Sequence, residues 1–127
     1  MPAAEAVVDL ADELFAAIER GDEPRLDAMF DDEIAVWRVG SRRDDDKVRA
    51  LRVLHWFIDV TAERSYEVLD RQLFPGGFVQ QHILHATGHN GGLIALRVCI
   101  VIKVGGDNLI TRIDEYFDPA QLAPLMS

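Results

Sequence analysis

Cysteine is nearly absent from this chain: Cys99 stands alone, so no internal disulfide is possible. Its place in a strongly apolar run predicts a buried structural thiol rather than a nucleophile. Basic side chains are also scarce, 13 against 22 acidic, for a net charge of −9. A nucleic-acid backbone or an anionic membrane surface attracts the opposite sign, so neither is an expected partner. No apolar run approaches the roughly 20 residues that cross a bilayer. Met1-Pro2-Ala3-Ala4-Glu5 lacks the basic start of a secretion signal. The expectation is a cytoplasmic protein. There is no internal repeat and no linker-like stretch, and 49% of the residues are hydrophobic, enough for one core in one domain spanning residues 1–127.

The first half has helical periodicity. Val7, Leu10, Ala11, Leu14, Phe15 and Ile18 recur at helical spacing opposite Glu5, Asp9, Asp12, Glu13 and Glu19. Gly21 ends that helix, and Asp22 caps a short second one, with Pro24 in its first turn and Leu26, Met29 and Phe30 inward. Residues 34–39 look like a strand. The Arg42-Arg43-Asp44-Asp45-Asp46 run that follows reads as a solvated connection. From about Asp46, Val48, Leu51, Leu54 or His55, and Ile58 predict a longer third helix, with Trp56 and Phe57 adding apolar bulk.

The second half changes period. Segments 65–74, 78–87, 93–104 and 109–117 are separated by Pro75-Gly76-Gly77, Gly88-His89-Asn90-Gly91-Gly92 and Gly105-Gly106-Asp107-Asn108, which predicts an antiparallel meander. Asp118 then caps a short terminal helix, with Pro119 at its first position. Ile94, Leu96, Val98, Ile100, Ile102 and Val104 form one apolar strand face, assigned to the helices. Ala95, Arg97, Cys99, Val101 and Lys103 form the other, assigned to a partner subunit or water. The predicted fold is α+β, a curved and mainly antiparallel sheet with the N-terminal helices covering its concave face.

The last strand carries the best functional clue. Alternation puts Leu109, Thr111, Ile113, Glu115 and Phe117 on one face and Asp114 on the other. Glu115 thus falls in an apolar row, where a carboxylate must be paired, wetted or protonated. On the same reasoning Phe78, Gln80, His82 and Leu84 face inward near Arg38. These placements suggest a His82–Glu115 pair, with Glu115 accepting a proton or orienting the imidazole, His82 as acid/base partner, and Arg38 holding an oxyanion. Val36, Gln80, Leu96, Val98, Ile100 and Ile113 are the candidate ligand-lining residues. His55 and Trp56 are possible borders of the same cavity, Asp114 reads as solvated, and Trp37 suits a subunit interface. His82, His85 and His89 do not share a face on a strand, so no metal site is expected. The paired glycines lack phosphate-cradle spacing, and no cofactor is expected.

The order of elements, with Leu14-Phe15-Ala16-Ala17-Ile18-Glu19-Arg20-Gly21-Asp22, Met29-Phe30-Asp31-Asp32-Glu33 and the 110–118 ending, resembles the SnoaL-like branch of the nuclear transport factor 2-like superfamily over nearly the whole chain. That family includes ketosteroid isomerase, limonene epoxide hydrolase and SnoaL-type polyketide cyclases. The resemblance implies a cone-shaped α+β roll with a deep pocket, and a homodimer through the sheet. It implies different partners for the chemistry as well. The isomerase's tyrosine, aspartate base and acidic donor fall on Leu14, Arg38 and near Ile100. The hydrolase's water-activating aspartate falls on Glu115, its arginine and second aspartate on Gln80 and His82, and its tyrosine and asparagine on Val36 and Arg38. Neither full set is present. The looser need of the cyclases, one acid/base group in an apolar pocket, fits best. The expected function is therefore binding of a small, largely apolar metabolite, with cofactor-independent isomerase, cyclase or hydratase/hydrolase chemistry. The alternatives are a non-catalytic ligand carrier and a dimeric protein-interaction module.

Overall fold

A computed structural model describes residues 1–126, in the order α1 (Ala4–Arg20), α2 (Glu23–Met29), β1 (Phe30–Arg38), α3 (Lys47–Val60), β2 (Thr61–Phe74), β3 (Gly77–Gly88), β4 (Leu93–Val104), β5 (Ile110–Tyr116) and a 3-10 helix (Pro119–Leu125). The α1 periodicity does what it predicts: Val7, Leu10, Ala11, Leu14, Phe15 and Ile18 are buried. Gly21 closes the helix at φ 70, a left-handed conformation that a side chain would strain. Asp22 and Asp46 cap α2 and α3 by accepting the backbone N–H of Arg25 and Arg49.

The five strands form one open sheet in the order β1-β5-β4-β3-β2. β2 to β5 are the predicted antiparallel meander, while β1 returns to pair in parallel with β5. On β4, Ile94, Leu96, Val98, Ile100, Ile102 and Val104 are all buried. Ala95, Arg97 and Lys103 on the opposite face are exposed. Cys99 shares that outer face and is half-buried, so the buried-thiol expectation does not hold. Strand alternation, not the local apolar run, decides its environment.

Two bulges change what strict alternation predicts. In β5, Lys103 pairs with Arg112 but Val104 pairs with Ile110, leaving Thr111 as the extra residue. Ile110 therefore takes the inner place assigned to Leu109 and Thr111, while Ile113 keeps its own and is buried. In β2, Val68 pairs with His82 but Asp70 with Gln81, so Leu69 is extra. Beyond that bulge Tyr66 pairs with Leu84, sharing the inner face with Arg71, which pairs with Gln80.

The acidic run is more than a solvated connection. Asp44 accepts from Arg112 at 2.8 Å, Asp45 bridges Val36 through both backbone groups, and Asp46 caps α3. Asp114 is likewise held by Arg112, at 2.9 Å, rather than merely solvated. On α3 the inner face is Ala50, Leu51 and Phe57, with Leu54 and Ile58 packed beside them, while Val48 is exposed. The apolar arc is rotated from the one expected because α3 packs on both β1 and β2.

Arg64 ties the helices to the sheet. Its guanidinium donates to the carbonyls of Ile18 and Glu19 at the end of α1 and of Ile58 at the end of α3, and to Thr61 O and Oγ1. The Ile18, Glu19 and Ile58 carbonyls lie at helix C-termini, where a cation also meets the negative ends of two helix dipoles. Arg64→Ala is expected to cost about 2–4 kcal/mol of stability, and Arg64→Lys to restore little, because an ammonium cannot span acceptors on both helices. Urea midpoints of the three proteins measure this, and an unchanged midpoint in Arg64→Ala would show that water serves the carbonyls equally well.

Candidate functional site

Pairing across the sheet sets the site. Arg38 on β1 stands beside Glu115 on β5, Glu115 beside Ile100 on β4, Ile100 beside Gln80 on β3, and Gln80 beside Arg71 on β2. One transverse row thus runs Arg38, Glu115, Ile100, Gln80, Arg71 on the helix-covered face. His82 lies two residues further along β3, opposite Val98.

Over this row, α1 and α3 leave a cavity of about 190 Å³. Its walls are mostly apolar: Phe15 and Ile18 from α1, Leu54, Trp56 and Phe57 from α3, and Leu84, Leu96, Ile100 and Ile113 from the sheet. Arg38, Tyr66, His82 and Glu115 are its polar groups. Val53 and Trp56, 39% and 36% exposed, reach from the cavity to solvent. Larger depressions occur elsewhere on the surface, but they are more open and none contains Arg38, His82 or Glu115.

Glu115 reaches Arg38 Nε at 3.4 Å, a long ion pair, and Arg38 is shared with Asp45, also at 3.4 Å. A quarter of the Glu115 side chain remains accessible. Burial raises its pKa more than the neighbouring guanidinium lowers it, so the carboxyl titrates above its usual range. The same balance marks Tyr66, whose phenol is pushed up by burial and then by the charges of Glu115 and Glu19.

His82 and Glu115 do not pair. His82 Nδ1 lies 2.9 Å from Gln80 Nε2, and its ring meets Tyr66 and Phe15 at centroid distances of 4.9 and 5.5 Å. β4 separates the two residues. With strands about 4.8 Å apart and a rise of about 3.4 Å per residue, their Cα atoms stand roughly 12 Å apart on a flat sheet. No hydrogen bond or ion pair joins them: the imidazole is bonded to Gln80 and the carboxylate is paired with Arg38. Burial pushes the imidazole down to about 4, leaving it neutral near pH 7.

Of the sequence-predicted residues, Arg38, His82, Glu115, Leu96, Ile100 and Ile113 line the cavity. Val36, Gln80 and Val98 are buried but do not line it. Gln80 instead contacts His82 from behind. Trp56 borders the cavity, whereas His55 turns away to Asp27 at 3.0 Å. Trp37 sits on the outer face, where its ring meets Tyr116 at a centroid distance of 5.2 Å and a tilt of 54°. Tyr66 is the functional candidate that sequence reasoning missed. Without the bulge at Leu69 it would pair with His85 on the outer face, and alternation gives no sign of that bulge. Among the described residues, no three His, Cys, Asp or Glu side chains gather closely enough to hold a metal ion, and no helix is long and apolar enough to cross a membrane.

No family model matches the sequence, and no curated protein matches it. Solved structures do match the fold. A LEH-like epoxide hydrolase from Mycobacterium tuberculosis is 17% identical, with a TM-score of 0.80 over 98% of this chain and 92% of that one. A putative SnoaL-like polyketide cyclase from Shewanella putrefaciens is 15% identical, with a TM-score of 0.78 over 99% and 97%. An NTF2-like protein of unknown function from Cytophaga hutchinsonii is 15% identical, with a TM-score of 0.72 over 92% and 94%. Such low identity leaves the chemistry of each neighbour its own. With this order of elements, this sheet pairing and these matches, the chain has the fold of the SnoaL-like, NTF2-like proteins.

Proposed function

We propose that the cavity binds a compact, largely apolar molecule carrying oxygen, and that Glu115 moves a proton on it without a cofactor. The observation that supports this most is the Glu115 carboxylate itself: it faces an apolar cavity, is only loosely paired, and has a raised pKa. A base held this way titrates closer to neutrality, where proton transfer is efficient. Arg38, beside it, is placed to stabilise negative charge that develops on an oxygen. His82 faces the same space from the far side of β4, as a neutral imidazole. The volume limits the ligand, because about 190 Å³ falls below the ~300–1,000 Å³ typical of sites for drug-sized molecules.

The reaction classes that suit one base and two oxygen-directed groups are isomerisation, cyclisation and hydration or hydrolysis. Structural neighbours described as an epoxide hydrolase and a putative polyketide cyclase are consistent with that range. We also propose that two chains pair through the outer sheet face, where Leu93 and Tyr116 are exposed.

The reading is tested with compact cyclic epoxides and enolisable ketones, incubated with the protein in deuterated or oxygen-18 water and examined by mass spectrometry. Protein-dependent uptake of label is the expected result. If compounds bind but return unlabelled, the acid/base reading falls and ligand carriage takes its place.

A further inference from the structure

Behind His82 lies a chain of hydrogen bonds in which every donor and acceptor is determined. Asp12 on α1 accepts from Arg71 Nη1 at 2.8 Å, and Arg71 Nε donates to Gln80 Oε1 at 2.8 Å. A guanidinium has no acceptor, so Gln80 must turn its carbonyl oxygen towards Arg71 and its amide nitrogen towards the imidazole. That nitrogen lies 2.9 Å from His82 Nδ1. It has only hydrogens to offer, so Nδ1 must be the bare, accepting nitrogen and Nε2 must carry the proton. The reverse arrangement would set two donors against each other at Arg71.

The other end of the ring faces the cavity. Among the described residues, Nε2 has no hydrogen-bond partner; the ring's one hydrogen bond is at Nδ1. His82 is 1% exposed overall, yet no fully enclosed side-chain nitrogen or oxygen among the described residues lacks a partner. Nε2 is therefore not fully enclosed, and His82 lines the cavity. The ring is held against rotation by Tyr66 and Phe15, which meet it edge-on at 4.9 and 5.5 Å. The bulge at Leu69 brings Arg71 and Tyr66 to this face together.

We propose that Asp12, Arg71 and Gln80 are positioning residues that lock His82 in the Nε2–H tautomer, so that it presents a hydrogen-bond donor to the cavity and selects ligands with a carbonyl, ether or epoxide oxygen at that point. The ligand part rests on the cavity being a binding site. The lock does not, since it is built from the protein's own side chains. His82 then acts as a donor that polarises an oxygen, and the base is Glu115 alone.

Long-range proton–nitrogen spectra of the 15N-histidine-labelled full chain at pH 7 read the tautomer directly. His82 is assigned by elimination with the substitutions His55→Gln, His85→Gln and His89→Gln. A single Nε2–H form is expected in the unsubstituted protein, and an Nδ1–H form or an averaged signal would overturn the lock. Gln80→Glu offers the ring an acceptor instead of a donor, so the proton should move to Nδ1. A retained Nε2–H form in a folded Gln80→Glu protein would show that Gln80 does not set the tautomer. For the ligand class, cyclohexanone is compared with methylenecyclohexane, which has the same shape without the oxygen. The ketone should shift the His82 Nε2 resonance and the hydrocarbon should not. Equal shifts, or none from the ketone, would overturn the oxygen selection while leaving the tautomer result to decide the lock.

Discussion

Glu115→Gln is expected to reduce turnover of a transformed substrate by about 10²–10⁴-fold, the usual contribution of a positioned base, with little change in KM. The amide keeps the shape and polarity of the carboxylate, so the cavity walls and the contact with Arg38 should persist. What it cannot do is accept a proton. Nor should the protein lose stability above neutral pH. The wild-type carboxylate is held charged in an apolar cavity against its preference, with only a 3.4 Å ion pair in compensation, and the neutral amide removes that burden. A loss of activity with an unchanged or higher urea midpoint separates a catalytic role from a structural one. Arg38→Gln supplies the complementary test. The guanidinium lowers the Glu115 pKa, so removing it should move the acidic limb of the pH–rate profile to higher pH. Unchanged kcat in Glu115→Gln would remove the carboxylate from the chemistry, and an unmoved acidic limb in Arg38→Gln would remove their coupling.

The fold was largely legible because apolar periodicity and turn residues speak locally. The α1 face, the apolar row of β4 and the glycine-rich hairpins needed no tertiary information. Glu115 was legible for the same reason: it follows Ile113 by two residues on a strand, and the bulge at Thr111 falls before both. Its partner was not. Whether it meets His82 or Arg38 depends on strand order, and the parallel return of β1 to β5 puts Arg38 beside it and β4 between it and His82. Bulges are equally silent. One extra residue in β2 reverses the facing of Tyr66 relative to the hairpin end of the strand, and so Tyr66 escaped notice. Charged runs mislead in another way. The residues Asp44, Asp45 and Asp46 look alike in sequence, yet one holds Arg112, one holds Arg38 and one caps a helix.

Acidification should separate His82 from Glu115, because the two buried groups act on stability with opposite sign. Burial holds the His82 pKa at about 4 against an ordinary 6.5, so the unfolded chain takes up this proton first. Stability from His82 is intact above pH 6.5, falls as pH drops from 6.5 to about 4, and levels off below, a total of about 3 kcal/mol. Glu115 is raised above its ordinary 4.5, so the folded chain takes up that proton first, and stability is gained as pH falls from the folded pKa to 4.5. The two slopes oppose each other in the wild-type protein. Glu115→Gln removes the gain and should steepen the loss of stability on acidification. His82→Asn removes the loss and should flatten or reverse it, since Gln80 can still donate to the asparagine oxygen. Urea midpoints taken from pH 7 to pH 4 measure both. Each variant is compared with wild type at the same pH, so that surface carboxylates cancel. Among these are Asp22, lowered by the Arg25 backbone N–H and then Arg20, and Asp44, lowered by Arg112. Variant and wild-type curves that run parallel would mean that neither group is shifted by burial. The neutral donor and the raised base would then lose their electrostatic footing together.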